Sequence, residues 1–89
     1  MTNDELCEYA KTISTREGFV KFVGYLAEDY ENHGGEWENK KIEQFLSGLS
    51  GFANGMAGYY KNMNENVDVN NITWRIAAEM LLAATVYEG

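Results

Sequence analysis

The sequence predicts an all-α fold: a compact four-helix single domain with a largely apolar, central C-terminal helix. Three observations predict it. The 89 residues contain no proline, which removes the strongest helix breaker. Apolar residues recur at three- and four-residue spacing in separate stretches, the signature of helices with one buried face. The last of these stretches, residues 73–87, is apolar on nearly every side of a helical wheel, with only Arg75 and Glu79 interrupting it strongly. A helix that is apolar all round belongs in the middle of a protein. An apolar fraction of 45% with 13% aromatic residues argues against disorder. A chain of this length buries roughly 60% of its unfolded surface and folds without disulfides or metal.

The helices are expected at about 3–12, 15–32, 40–56 and 74–88. Thr2-Asn3-Asp4-Glu5 reads as a capping box for the first, with Leu6, Tyr9, Ala10 and Ile13 on one face and Cys7 beside it. Ser14-Thr15-Arg16-Glu17 repeats that signal. Phe19, Phe22, Val23, Leu26 and Tyr30 then share a stripe, and His33-Gly34-Gly35 offers a glycine for a left-handed helix end. Asn39 is the expected N-cap of the third helix, with Trp37 folding over its first turn as an apolar staple. Its apolar stripe is Ile42, Phe45, Leu46, Leu49, Phe52, Ala53 and Met56. Gly48, Gly51, Gly55 and Gly58 form a smooth stripe opposite, read either as close approach of another backbone or as exposed positions with the helix fraying after Gly55. Residues 59–72 are asparagine-rich and aperiodic, a surface loop. Thr73 caps the last helix, whose main face is Ile76, Ala77, Met80, Leu81, Ala84 and Tyr87. Arg75 and Glu79 pair on the other side, where Leu82 and Val86 extend the stripe as apolar residues. That end is either covered by the first helix or is a contact surface.

The charge and the motifs exclude several functions. A net charge of −7 is repelled by nucleic acid and by anionic lipid. The sequence has no run of eighteen apolar residues and no basic-then-apolar start. Its single cysteine, Cys7, fits a reducing compartment, so the protein is read as cytoplasmic. His33 is the only histidine and has no partner at zinc-ligand spacing. The asparagine-rich stretch fails as a calcium loop: counted from Asn62, Val67 stands where glycine is needed and Thr73 where a bidentate glutamate belongs. No cofactor or catalytic residue is assigned.

Two groups of residues remain as candidates. Glu28, Asp29, Glu31, Glu36 and Glu38 make the densest acidic patch, with no lysine or arginine among them, and suit a basic protein partner. The leading expectation is therefore a non-catalytic binding module of inhibitor, immunity or adaptor type. Trp37, Glu38, Asn39, Tyr59 and Tyr60 line the pocket of a small-ligand binder or a small enzyme if the fold brings them together. A third expectation is a homo-oligomer assembling through Leu82 and Val86 or through the glycine stripe.

Several short motifs occur in order: Arg16-Glu17-x-Phe19-x-x-Phe22, Trp37-Glu38-Asn39, Phe45-Leu46, Gly58-Tyr59-Tyr60, Trp74-Arg75 and Ala83-Ala84-x-x-Tyr87-Glu88. From Ser14 to Glu88 the chain thereby resembles a family of small bacterial proteins known as a domain of unknown function. This chain has Ile72 where members often carry proline. The resemblance implies a bacterial, all-helical single domain and supplies no activity.

Overall fold

The computed structural model describes residues 1–88. They form four α-helices: α1 (Asn3–Thr12), α2 (Arg16–His33), α3 (Ile42–Asn62) and α4 (Trp74–Ala84), with a 3-10 turn, Gly34–Glu36, closing α2. No strand occurs among the described residues. Helix α4 packs against each of the other three, whereas α3 packs against α4 alone. The apolar C-terminal stretch is thus the shared wall of the molecule.

The sequence signals hold at the start of the chain and shift further along. Thr2 and Glu5 form the capping box, the Thr2 Oγ1 accepting from the Glu5 amide at 3.2 Å and the Glu5 carboxylate accepting from the Thr2 amide at 2.8 Å. The carboxyl of Glu5 is held below its ordinary range first by that backbone amide and then by the Thr2 side chain. In α2 the cap is Thr15 and not Ser14: its Oγ1 accepts from the Gly18 amide at 3.1 Å, and Glu17 turns to Arg16 instead of completing a box. No glycine closes α2 in the left-handed region. Gly34 keeps φ at −58°, and the chain tightens into the 3-10 turn.

Helix α3 departs most from expectation. Its N-cap is Lys41, whose amide donates to the Gln44 side chain together with the amide of Lys40, each at 3.2 Å. Asn39 is released for another task. The helix continues through Gly55 and Gly58 to Asn62, because Tyr60 extends the buried stripe Gly48, Phe52, Met56 by one more turn. It is Asn64, with φ of 59°, that supplies the left-handed residue there. The amide of Glu65 then reaches the Tyr60 carbonyl at 2.9 Å and that of Asn64 the Lys61 carbonyl at 3.0 Å, so the last carbonyls of α3 are satisfied. The buried face is also rotated from the one expected. Ile42 and Leu46 are 69% and 54% exposed, while Gly48 is buried.

The core has two parts that meet in α4. One holds Leu6, Ala10 and Ile13 with Phe22 and Leu26 of α2, against Ala78 of α4. The other holds Phe52, Met56 and Tyr60 of α3 against Ile76 of α4. Ile76 and Ala78 sit two residues apart and so point to opposite sides of α4. That is the structural meaning of a helix apolar all round.

Candidate functional site

The segment between α2 and α3 is tied down by its own side chains. Trp37 is half-buried, stacks on Phe45 in the first turn of α3 at 6.1 Å between centroids, and meets Tyr30 edge-on at 5.0 Å. It does act as the staple its position suggests. Its indole N–H donates to Asp29 Oδ2 at 2.8 Å, and His33 Nδ1 lies 3.5 Å from the other oxygen of that carboxylate. The Tyr30 hydroxyl donates to the Lys40 carbonyl at 2.8 Å. These bonds give α2 a fixed exit toward α3.

Asn39 closes the opposite end of the chain. Its side-chain amide donates to the carbonyls of Ala84 at 2.8 Å and Tyr87 at 2.7 Å, and its backbone amide to that of Thr85 at 2.9 Å. Three carbonyls at the end of α4 are thereby satisfied by one residue from 45 or more positions earlier. This is why α4 stops at Ala84 and does not run to 88. Gly48 lies directly beneath. A Cβ there would stand 2.7 Å from Asn39 Nδ2, 2.7 Å from the Tyr87 carbonyl oxygen and 2.8 Å from that of Ala84. Close backbone approach therefore explains Gly48 but not Gly55 or Gly58: Gly58 faces open space, and Gly55 meets only the Tyr87 hydroxyl, at 3.4 Å.

A half-buried polar cluster fixes the other end of α4. The Tyr60 hydroxyl donates to Glu79 Oε1 at 2.7 Å, Arg75 reaches both Glu79 oxygens at 3.3 Å, and the same guanidinium donates to Glu65 at 2.8 Å. Burial, then the Glu79 carboxylate, push the Tyr60 hydroxyl well above its ordinary pKa. The i, i+4 pair expected on the surface is instead one part of a bridge from α4 to α3 and the loop. What hid this from sequence reasoning is Glu65, which lies in a stretch with no periodicity; the signal for Tyr60 was its spacing of four from Met56.

The proposed pocket residues do not converge. Trp37 and Asn39 border a shallow groove with Tyr30 and Ile42, whereas Tyr59 lines a different one. Phe45, which stacks on Trp37, and Tyr60 are fifteen residues apart on one helix, or about 22 Å. The acidic residues divide in the same way. Asp29 is only 14% exposed in its side chain and is engaged by Trp37 and His33. Glu28, Glu31, Glu36 and Glu38 are exposed and make no ion pair among the described residues.

Two clefts flank a ridge made by Leu82 of α4 and Val86 of the turn that follows it. One, of about 710 Å³, is lined by Asp4, Glu5, Asp29 and Glu36 with His33 and Trp37, and by no lysine or arginine. The other, of about 370 Å³, is mainly apolar and runs between α1 and α3. Among the described residues no three histidine, cysteine or acidic side chains are grouped to hold a metal ion. No helix among them is long and apolar enough to cross a membrane.

Fold and surfaces together define a small acidic four-helix domain with an open, carboxylate-bordered face. It belongs to the family of unknown function DUF7660, whose model matches residues 15–88, from the cap of α2 through α3 and α4. No curated protein and no solved structure matches it.

Proposed function

We propose that the protein is a non-catalytic protein-binding module, of inhibitor, immunity or adaptor type, for a basic partner. The observation that carries this reading is the division of the acidic patch. Asp29 is used by the fold, while Glu28, Glu31, Glu36 and Glu38 stand exposed and, among the described residues, without an ion pair; Glu36 borders a cleft lined also by Asp4, Glu5, Asp29 and His33 and by the Met1 amino terminus. Solvated carboxylates held on a rigid helix end give a potential that speeds encounter with a positive surface. A bacterial cytoplasmic setting is part of the same reading, supported by the single free thiol of Cys7 and by the motif resemblance.

The test is capture from a lysate of the source organism at low salt, followed by a salt step. One basic protein released in stoichiometric amount from the wild type, and lost from a Glu28→Lys, Glu31→Lys, Glu36→Lys, Glu38→Lys variant, supports the reading. Equal capture by both forms removes the electrostatic partner.

Self-association is a second reading, favoured by Ile42 and Leu46, which are 69% and 54% exposed on the flank of α3 that faces no helix. It predicts a mass that rises with concentration in sedimentation equilibrium and is reduced by Leu46→Glu.

A further inference from the structure

The connection between α2 and α3 carries charges of opposite sign side by side. Trp37 borders both the acidic cleft and the shallow groove at the first turn of α3. That groove is lined otherwise by Tyr30, Asn39, Ile42 and Phe45, and its charged residues are Lys40 and Lys41 alone; Glu38 and Glu43, on either side of them in sequence, do not line it. Both lysines are exposed and make no ion pair among the described residues. Lys11, Arg16 and Arg75 are engaged by carboxylates of their own molecule, which leaves Lys40 and Lys41 as the one pair of sequence neighbours with free positive charge among the described residues. Glu36 and Glu38, which flank Trp37, are equally free, and lie within five residues of both lysines, at most about 18 Å along the chain.

The surface beside these charges is apolar and open. Ile42 and Leu46 of α3 are exposed, as are Tyr30 and Val23 of α2. Val23 stands seven residues before Tyr30 and so shares its side of the helix. Helices α2 and α3 both pack on α4 and not on each other, so neither covers the other's exposed flank. Large aliphatic side chains grouped in this way mark a contact surface.

We propose that this face is an isologous contact with a second copy of the chain: Ile42 and Leu46 pack about a twofold axis, and Lys40 and Lys41 of each copy face Glu36 and Glu38 of the other. A patch that carries both signs beside an apolar centre is complementary to itself under a twofold rotation, because each copy offers the charges that its mate lacks. A basic partner seated on the acidic rim leaves the lysines and the two aliphatic residues uncovered; a second copy covers all of them. The net charge of −7 opposes association at long range, so the aliphatic contact supplies the affinity and the ion pairs set the orientation. The inference rests on the self-association reading and adds to it the surface and its pairing.

Sedimentation equilibrium of the full chain over a concentration series tests it, with two charge-reversed variants: Lys40→Glu with Lys41→Glu, and Glu36→Lys with Glu38→Lys. All four side chains are exposed and without an ion pair among the described residues, so both variants keep the fold. The wild type should show a monomer–dimer equilibrium. Each variant alone should have its dimer dissociation constant raised roughly ten-fold or more, because like charges are brought face to face. An equimolar mixture of the two variants should regain the dimer, since opposite charges then meet on both sides of the axis. A variant that dimerises as tightly as the wild type, or a mixture no tighter than its components, overturns this contact while leaving self-association through another surface in place. A wild type that stays monomeric throughout the series overturns both.

Discussion

The Trp37–Asn39 segment and the acidic rim beside it are neighbours in sequence and alike in polarity, yet the fold treats them in opposite ways. Trp37 and Asn39 spend every polar hydrogen on a partner, in Asp29 and in the carbonyls of Ala84 and Tyr87. Among the described residues Glu36 and Glu38, interleaved with them, have no side-chain hydrogen bond and no ion pair, and they are exposed. Polar residues that reach a buried donor or acceptor become part of the architecture. Those that reach only water are left for something outside the molecule. The same division separates Tyr60, buried and bonded to Glu79, from its neighbour Tyr59, which faces the cleft between α1 and α3.

Substitutions can break that division, and the largest effect is expected where the clamp is tightest. Gly48→Val places carbon against two carbonyl oxygens that belong to the end of α4, and should lower the unfolding free energy by about 3 kcal/mol. Chemical denaturation measures this directly, with Gly58→Val as the control, since a Cβ there meets nothing.

Tyr60→Phe comes next, at about 2 kcal/mol near neutral pH, because it strips a hydrogen bond from the partly buried Glu79 carboxylate. It also carries a pH signature. The Tyr60 hydroxyl has its pKa raised in the folded state, by burial first and by Glu79 second, from an ordinary value of 10.0. Its contribution is therefore complete below that ordinary value and is lost as the pH climbs above it. Unfolding curves between neutral and strongly alkaline pH should show a smaller alkaline loss in Tyr60→Phe than in the wild type.

Trp37→Phe keeps an aromatic ring against Phe45 but gives up the bond to Asp29; about 1 kcal/mol is expected, read as a fall in melting temperature. The smallest effect belongs to the rim. Glu28→Lys, Glu31→Lys, Glu36→Lys and Glu38→Lys together shift the net charge by two units each, from −7 to +1. Each should alter stability by less than about 0.5 kcal/mol, since these side chains are exposed and no ion pair among the described residues is lost.

The sequence made some of this plain and concealed the rest for identifiable reasons. The limits of α1, the cap of α4 and the central place of α4 were legible because each depends on local signals: a capping box, a threonine and an apolar wheel. The N-cap of α3 was not. Asn39 is a good cap residue by type, but its side chain is claimed by carbonyls at the far end of the chain, and local capping rules are blind to a partner 45 or more residues away. The same tertiary bond shortened α4. The extension of α3 was obscured by Gly55 and Gly58, whose helical cost of up to about 1 kcal/mol each is outweighed by the burial of Tyr60 one turn on. Of the candidate residues, the acidic cluster was visible as a composition, while the inward turn of Asp29 and the openness of the other four required coordinates.

The most direct test uses the adjacent residues Glu38 and Asn39 and changes one functional group in each. Asn39→Asp is nearly isosteric but turns two donors into an acceptor facing the Ala84 and Tyr87 carbonyls; Glu38→Gln removes a charge that pairs with no group among the described residues. Urea unfolding of the two variants should show Asn39→Asp destabilised by about 2 kcal/mol or more and Glu38→Gln indistinguishable from the wild type. Equal losses, or a larger loss in Glu38→Gln, would contradict the division between residues that build this fold and residues that it leaves free.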